Sequence, residues 1–161
     1  MVFPRRRTST IGCLTLDGFV SGTSVEGSFT KATFLHWLEH SLVRALTLSS
    51  FTIADSLQLP QCSPYPGPLS VLVLDNAKIH QGLELLELAD RFGVRIEFLP
   101  PYSPDLNPIE EAFSKIKYFL RRHQDYYGAT RGDGILFDMY EVLDIITSSD
   151  AEGYFAHAGY F

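Results

Sequence analysis

The stretch from Ser70 to Leu99 constrains the fold more than any other part of the chain. SVLVLD is a short, continuous apolar run ending in Asp75, the pattern of a buried strand. Asn76 to His80 form a turn. Leu83, Leu85, Leu86, Leu88, Ala89 and Phe92 then predict a buried or two-sided amphipathic helix, closed by Gly93. VRIEFLP predicts a further strand. Strand, helix and strand in this order belong to an α/β arrangement, which narrows the architectures open to the rest of the chain.

The flanks extend this pattern. TSTIGCLTLDGFVSGTSVEG alternates apolar and small polar residues around Asp17-Gly18, a strong turn signal, and predicts paired antiparallel strands over 8–16 and 19–25. Asp17 is accounted for by that turn. Thr30 suits a helix cap, and Phe34, Leu35, Leu38, Leu42 and Leu46 recur behind it at helical spacing. His36 and His40 share a face of that helix, which reads as a solvated or partly packed surface, since the HExxH arrangement is absent. Residues 47–69, ending in CSPYPGP, are expected to be a long loop insertion, because closely spaced prolines cannot continue a helix or a central strand. PPYSPDLNP is a rigid proline loop. Asn107 and Pro108 open a helix through about Arg122, with asparagine at the cap and proline in the first turn. A last helix is expected over Ile135 to Thr147, with Leu136, Met139, Leu143 and Ile146 facing inward, and the aromatic tail GYFAHAGYF is expected to dock on the body. An antiparallel hairpin followed by alternating strands and helices predicts a mixed α/β sheet with helices packed on it.

Composition sets the outer limits. A chain of 161 residues suits one compact domain, and 45% hydrophobic residues can build a core. No apolar run approaches 18 residues, so no membrane-spanning helix and no membrane partner are expected. The basic start MVFPRRR is not followed by the apolar core of a signal peptide. Arg5 to Arg7 read as a solvated basic stub. Cys13 and Cys62 are expected to be ordinary thiols in an intracellular protein. The net charge of −6 argues against a protein whose main task is to coat nucleic acid, though not against an enzyme with local basic patches.

Two carboxylates stand where chemistry could sit. Asp75 ends a strand, the place where functional groups gather in open α/β sheets. Glu110 lies in the first turn of a later helix. Carboxylates from such positions suit hard divalent cations, and a two-metal site can act on a phosphate. Local pattern leaves other roles open: Asp75-Asn76 could form a turn, and Glu110 lies three residues after Asn107, the capping-box position.

The segments VLVLDNAKIH and FLPPYSPDLNPIEEAFSKIK, taken together, resemble the catalytic domain of the mariner-type DDE transposases, a branch of the ribonuclease H-like superfamily. Asp75, Asn76 and His80 match the family's second acid and its DN…H stretch. Glu110 matches the third acid, in SPDLNPIE. Thirty-four residues lie between Asp75 and Glu110, the spacing of one large branch of that family. GCLTLDGFVSG, the helix after it and the closing GYF tail are similar to the same domain, particularly in fungal members, so the likeness runs from about Thr8 to Phe161.

The resemblance implies a ribonuclease H-like mixed sheet with flanking helices and metal-dependent DNA strand cleavage and transfer. It implies Mg2+ or Mn2+ at Asp75 and Glu110, with Asn76 and His80 beside the site. DNA is the implied partner, self-association is a further possibility, and a nuclear location is implied in a eukaryote. Glu111 is a weaker substitute for Glu110, and Asp105 is expected to shape the proline loop. Lys115, Lys117, Arg121 and Arg122 follow Glu110 on one helix and are candidate phosphate contacts. The family's first acid lies on a central strand upstream of the hairpin. MVFPRRR contains no acid and no apolar strand, and Asp17 is occupied in the turn. The sequence therefore predicts a chain that is not competent for cleavage by itself and that exposes strand edges. The alternative function is a non-catalytic nucleic-acid-binding or protein-interaction remnant of the same fold.

Overall fold

The computed structural model describes residues 8–47, 63–123 and 134–161. Arg5 to Arg7, Cys62 and most of the loop expected over 47–69 lie outside the described residues, as do the side chains of Leu42, Leu46 and Leu136. The architecture is mixed α/β, with two two-stranded sheets and five α-helices among the described residues. The chain divides into two compact units, Met1–Ser28 with Pro104–Phe161, and Phe29–Ser103.

In the first unit, β1 (Thr8–Thr15) and β2 (Gly18–Glu26) form the expected antiparallel hairpin. Leu16 and Asp17 make the turn, and Gly18 follows at φ +108°, a conformation that side-chain-bearing residues rarely adopt. Thr10 and Ser24, facing each other across the ladder, hydrogen-bond through their hydroxyls at 2.8 Å. The hairpin packs against α3 (Pro108–Arg122) and α4 (Gly134–Leu143). Ala112, Ile116, Val142, Leu143 and Ile146 are the buried centre, with Leu14, Phe19, Phe113 and Tyr154 around them. The glycines of the hairpin permit this approach. A methyl group at Gly18 would stand 2.8 Å from the Ile146 carbonyl oxygen, and one at Gly22 would strike the Leu143 side chain.

The last helix expected from the sequence, Ile135 to Thr147, is shorter than expected, and a further, unexpected helix follows it. α4 ends at Leu143, and α5 (Ser148–His157) takes up half of what reads as an aromatic tail. Thr147 separates them because it is the N-cap of α5. Its hydroxyl accepts from the Asp150 amide, and the Asp150 carboxylate accepts from the Thr147 amide, a reciprocal capping box. Met139 is half-buried, while Leu143 and Ile146 are buried as expected.

In the second unit, β3 (Val71–Leu74) and β4 (Arg95–Phe98) pair in parallel across α2 (Leu83–Phe92). Gly93 closes α2 at φ +67°. α2 is one-sided rather than two-sided: Leu85, Leu88 and Ala89 are buried, whereas Leu83 and Leu86 are exposed. α1 (Lys31–Thr47) lies against α2 and places Phe34 and Leu38 in the unit's core. Lys31–Glu84 and Arg91–Glu39 pairs tie the two helices at 2.6 and 2.9 Å.

Candidate functional site

Asp75 follows directly on β3. Its base is pinned from the neighbouring strand, because the Leu99 amide donates to the Leu74 carbonyl at 2.8 Å. Oδ1 of Asp75 accepts from the Ala77 amide at 3.1 Å and lies 2.6 Å from His80 Nδ1, which itself donates to the Asp75 backbone carbonyl at 3.4 Å. The short 3₁₀ turn Lys78–His80 brings the histidine back to the strand end. Its ring also packs on Phe34, 4.5 Å between centroids, and its side chain is only 15% exposed. His80 is thus a lever from the core to the Asp75 carboxylate. Among the described residues Oδ2 of Asp75 has no hydrogen-bond partner, and the side chain is half exposed. The turn that local pattern allows for Asp75 is therefore real, yet it occupies one oxygen and leaves the other facing outward. Asn76 belongs to the same turn, its side-chain oxygen accepting from Gln81 Nε2.

Glu110 sits in the first turn of α3, exposed. The capping-box alternative for it does not form. The amide of Asn107 already donates to the Pro104 carbonyl at 3.1 Å, because the 3₁₀ turn Pro104–Leu106 runs straight into the helix. Asn107 itself makes no side-chain cap bond, and Pro108 is the first helical residue, buried. The carboxylate of Glu110 makes no hydrogen bond among the described residues. Asp105 is exposed in the 3₁₀ turn, and its carboxylate likewise makes no hydrogen bond among the described residues, so backbone bonds rather than this side chain shape the loop. The neighbouring Tyr102 is fully exposed at φ +58°. Glu111 points to a different partner, His157, whose Nδ1 lies 3.3 Å from its Oε2.

The sequence matches the family described as DDE superfamily endonuclease over residues 4–128, more than half of the chain. This chain belongs to that family. A comparison with curated proteins finds no match. For a DDE endonuclease, the donor chemistry of Asp75 and Glu110 suits a hard divalent cation, since each offers an accessible carboxylate oxygen. No group of three His, Cys, Asp or Glu side chains is placed to hold a metal ion among the described residues. That includes His36 and His40, whose exposed rings lie 4.3 Å apart on α1. Asp75 belongs to the second unit and Glu110 to the first, and each stands among the neighbours given above.

The basic residues of this DDE endonuclease's α3 divide into two sets. Lys117, Arg121 and Arg122 are exposed, and none pairs with an acid among the described residues. Arg122 instead lies over the Tyr118 ring, 5.3 Å from its centroid, and donates to the Tyr118 hydroxyl at 3.0 Å. Lys115 differs, with its ammonium 2.6 Å from Asp150 Oδ2. Seven and eleven residues are close to whole numbers of turns at about 3.6 residues each, so Lys117 and Arg121 follow Glu110 along one face. Sequence reasoning grouped Lys115 with the others because helical spacing shows which residues share a helix but not which are already paired. Tyr118 stands four residues before Arg122, a helical spacing that places its ring beneath the guanidinium.

Proposed function

We propose that this DDE endonuclease is a mariner-type transposase domain whose activity is metal-dependent DNA strand cleavage and transfer. Asp75 and Glu110 are read as two of its metal-binding carboxylates. The observation that carries this reading is that the Glu110 carboxylate has no structural partner among the described residues: its capping role is pre-empted, and it is exposed at the head of a helix face that continues into Lys117 and Arg121. The chemistry that a bound Mg2+ or Mn2+ supplies is activation of the attacking oxygen and stabilisation of the leaving one at a phosphate. The chain's own contribution is positioning. His80 orients Asp75, the α3 helix orients Glu110, and Lys117 and Arg121 neutralise phosphates beside the reacting one.

The resemblance assigns the family's first acid to a strand upstream of β1, and residues 1–7 contain no acid. Residues 1–161 alone are accordingly expected to leave supercoiled DNA intact in Mn2+. A chain extended at its N-terminus by the first strand of a family member is expected to nick it. Asp75→Asn or Glu110→Gln should then reduce nicking to background. Nicking by the extended chain that survives both substitutions would remove the enzymatic reading. A second reading, nucleic-acid binding without cleavage, is favoured by Lys117, Arg121 and Arg122 of α3, which pair with no acid among the described residues. It predicts DNA retention at low salt that Asp75→Asn does not change.

A further inference from the structure

The strongest unassigned feature is the way residues 147–160 hold α3 and the 3₁₀ turn leading into it, on both sides of Glu110. Four residues before Glu110, the Leu106 carbonyl accepts a hydrogen bond from the Tyr160 hydroxyl at 3.2 Å. Five residues after it, the Lys115 ammonium donates to Asp150 Oδ2 at 2.6 Å. Lys115 and Asp150 side chains are 40% and 26% exposed, so this pair is partly shielded from water. The same Asp150 oxygen accepts from the Thr147 amide at 2.9 Å and from its hydroxyl at 2.8 Å, which ties the ion pair to the start of α5. Tyr160 is held in turn by an edge-on contact with Phe155, 5.4 Å between ring centroids. α5 packs along α3, with Ala151 wholly buried and Tyr154 against the core. At about 1.5 Å of rise per residue, the Lys115 anchor lies only about 7.5 Å along the helix from Glu110. The family match ends at residue 128, so all of the gripping groups lie beyond it.

We propose that residues 147–160 form a positioning brace that holds the first turns of α3 in one orientation and thereby aims the Glu110 carboxylate, with Asp150 and Tyr160 as positioning residues acting through Lys115 and Leu106. The brace rests on the reading of Glu110 as a metal ligand for its purpose, but not for its existence. A carboxylate on a frayed helix end samples many directions. One on a helix held before and after it presents its oxygens in a narrow range, which is what a metal-binding acid requires. A purely structural role would be content with the buried Ala112 and Ile116 contacts; two polar anchors flanking one exposed acid add control of axial position and rotation.

The test uses the full chain and two readouts. Backbone order parameters for Ile109–Ser114 are measured without metal in the parent protein, Asp150→Asn, Lys115→Met, Lys115→Arg and Tyr160→Phe. Ile116→Val serves as a control that loosens the core of the same helix. Values near the rigid level of about 0.85 are expected in the parent, in Lys115→Arg and in Ile116→Val, falling clearly in the other three variants. Mn2+ affinity is then titrated in the same set and in Glu110→Gln. The proposal expects at least a fivefold weakening wherever the order parameter falls, with recovery in Lys115→Arg. Unchanged order in Asp150→Asn and Tyr160→Phe overturns the brace, whatever the metal does. Mn2+ binding indifferent to Glu110→Gln instead overturns the metal reading of Glu110 while the order parameters still judge the brace.

Discussion

Asp150 shows how one residue can serve two levels of structure. Its carboxylate is the acceptor of the α5 capping box and the partner of Lys115. The Lys115 ammonium, then the Thr147 amide and hydroxyl, hold its pKa down to about 2 from an ordinary 3.8. A carboxyl depressed in the folded state stabilises fully above its unfolded pKa and loses that contribution as pH falls through the folded one. Asp150→Asn should therefore cost roughly 1–2 kcal/mol at pH 6, the shift being discounted for partial exposure. The gap between variant and parent should close as pH falls from about 4 to about 2. Urea denaturation at a series of pH values checks it. A gap that stays constant down to pH 2 would mean the ionised form contributes nothing. Asp75 makes a contrasting case: His80 and the Ala77 amide engage one oxygen and leave the other, so its local turn orients the acid without consuming it.

At the scale of elements, the hairpin depends on glycine in a way that can be measured. Gly18 combines φ +108° with the Ile146 carbonyl at 2.8 Å from where a Cβ would stand. Gly18→Ala should destabilise by roughly 1–3 kcal/mol through backbone strain and overpacking. Gly153, inside α5 with open space around it, should respond with the opposite sign. Gly153→Ala should stabilise by about 0.5–1 kcal/mol. Equal effects in chemical denaturation would contradict this account of the two sites. The hairpin, the β3–α2–β4 unit and the start of α3 were all legible in the sequence, because turn residues, apolar runs and a proline in the first turn act locally. α5 was not, since Ser148, Ser149 and Gly153 are poor helix formers and the aromatic tail masks the periodicity. Thr147-Ser-Ser-Asp150 was a capping-box signature in plain view, and it also explains why α4 cannot run to Thr147. The roles of Lys115 and His80 were not legible, because each depends on a partner distant in sequence: Asp150 for Lys115, Phe34 and the turn for His80.

For the whole molecule the question is how a chain of net charge −6 can address a polyanion. Uniform charge would repel DNA, so attraction must be local and must survive the field of the remaining acids. Lys117, Arg121 and Arg122 are exposed on one helix and are not neutralised by acids among the described residues, whereas Lys115 is already paired. If these three cations each meet a phosphate, counterion release sets the slope of log affinity against log salt at about −3 for duplex DNA. Neutralising all three to glutamine should flatten the slope towards zero and weaken binding alike on unrelated sequences, since phosphate contacts carry no sequence information. Lys115→Gln should leave the slope nearly unchanged, because its charge is spent on Asp150. Titration of a fluorescent duplex from about 20 to 200 mM salt separates these outcomes. A Lys115 variant that lowers the slope as much as Lys117→Gln would show that the ion pair opens to DNA, and the division of α3 into a bracing side and a DNA-facing side would have to be given up.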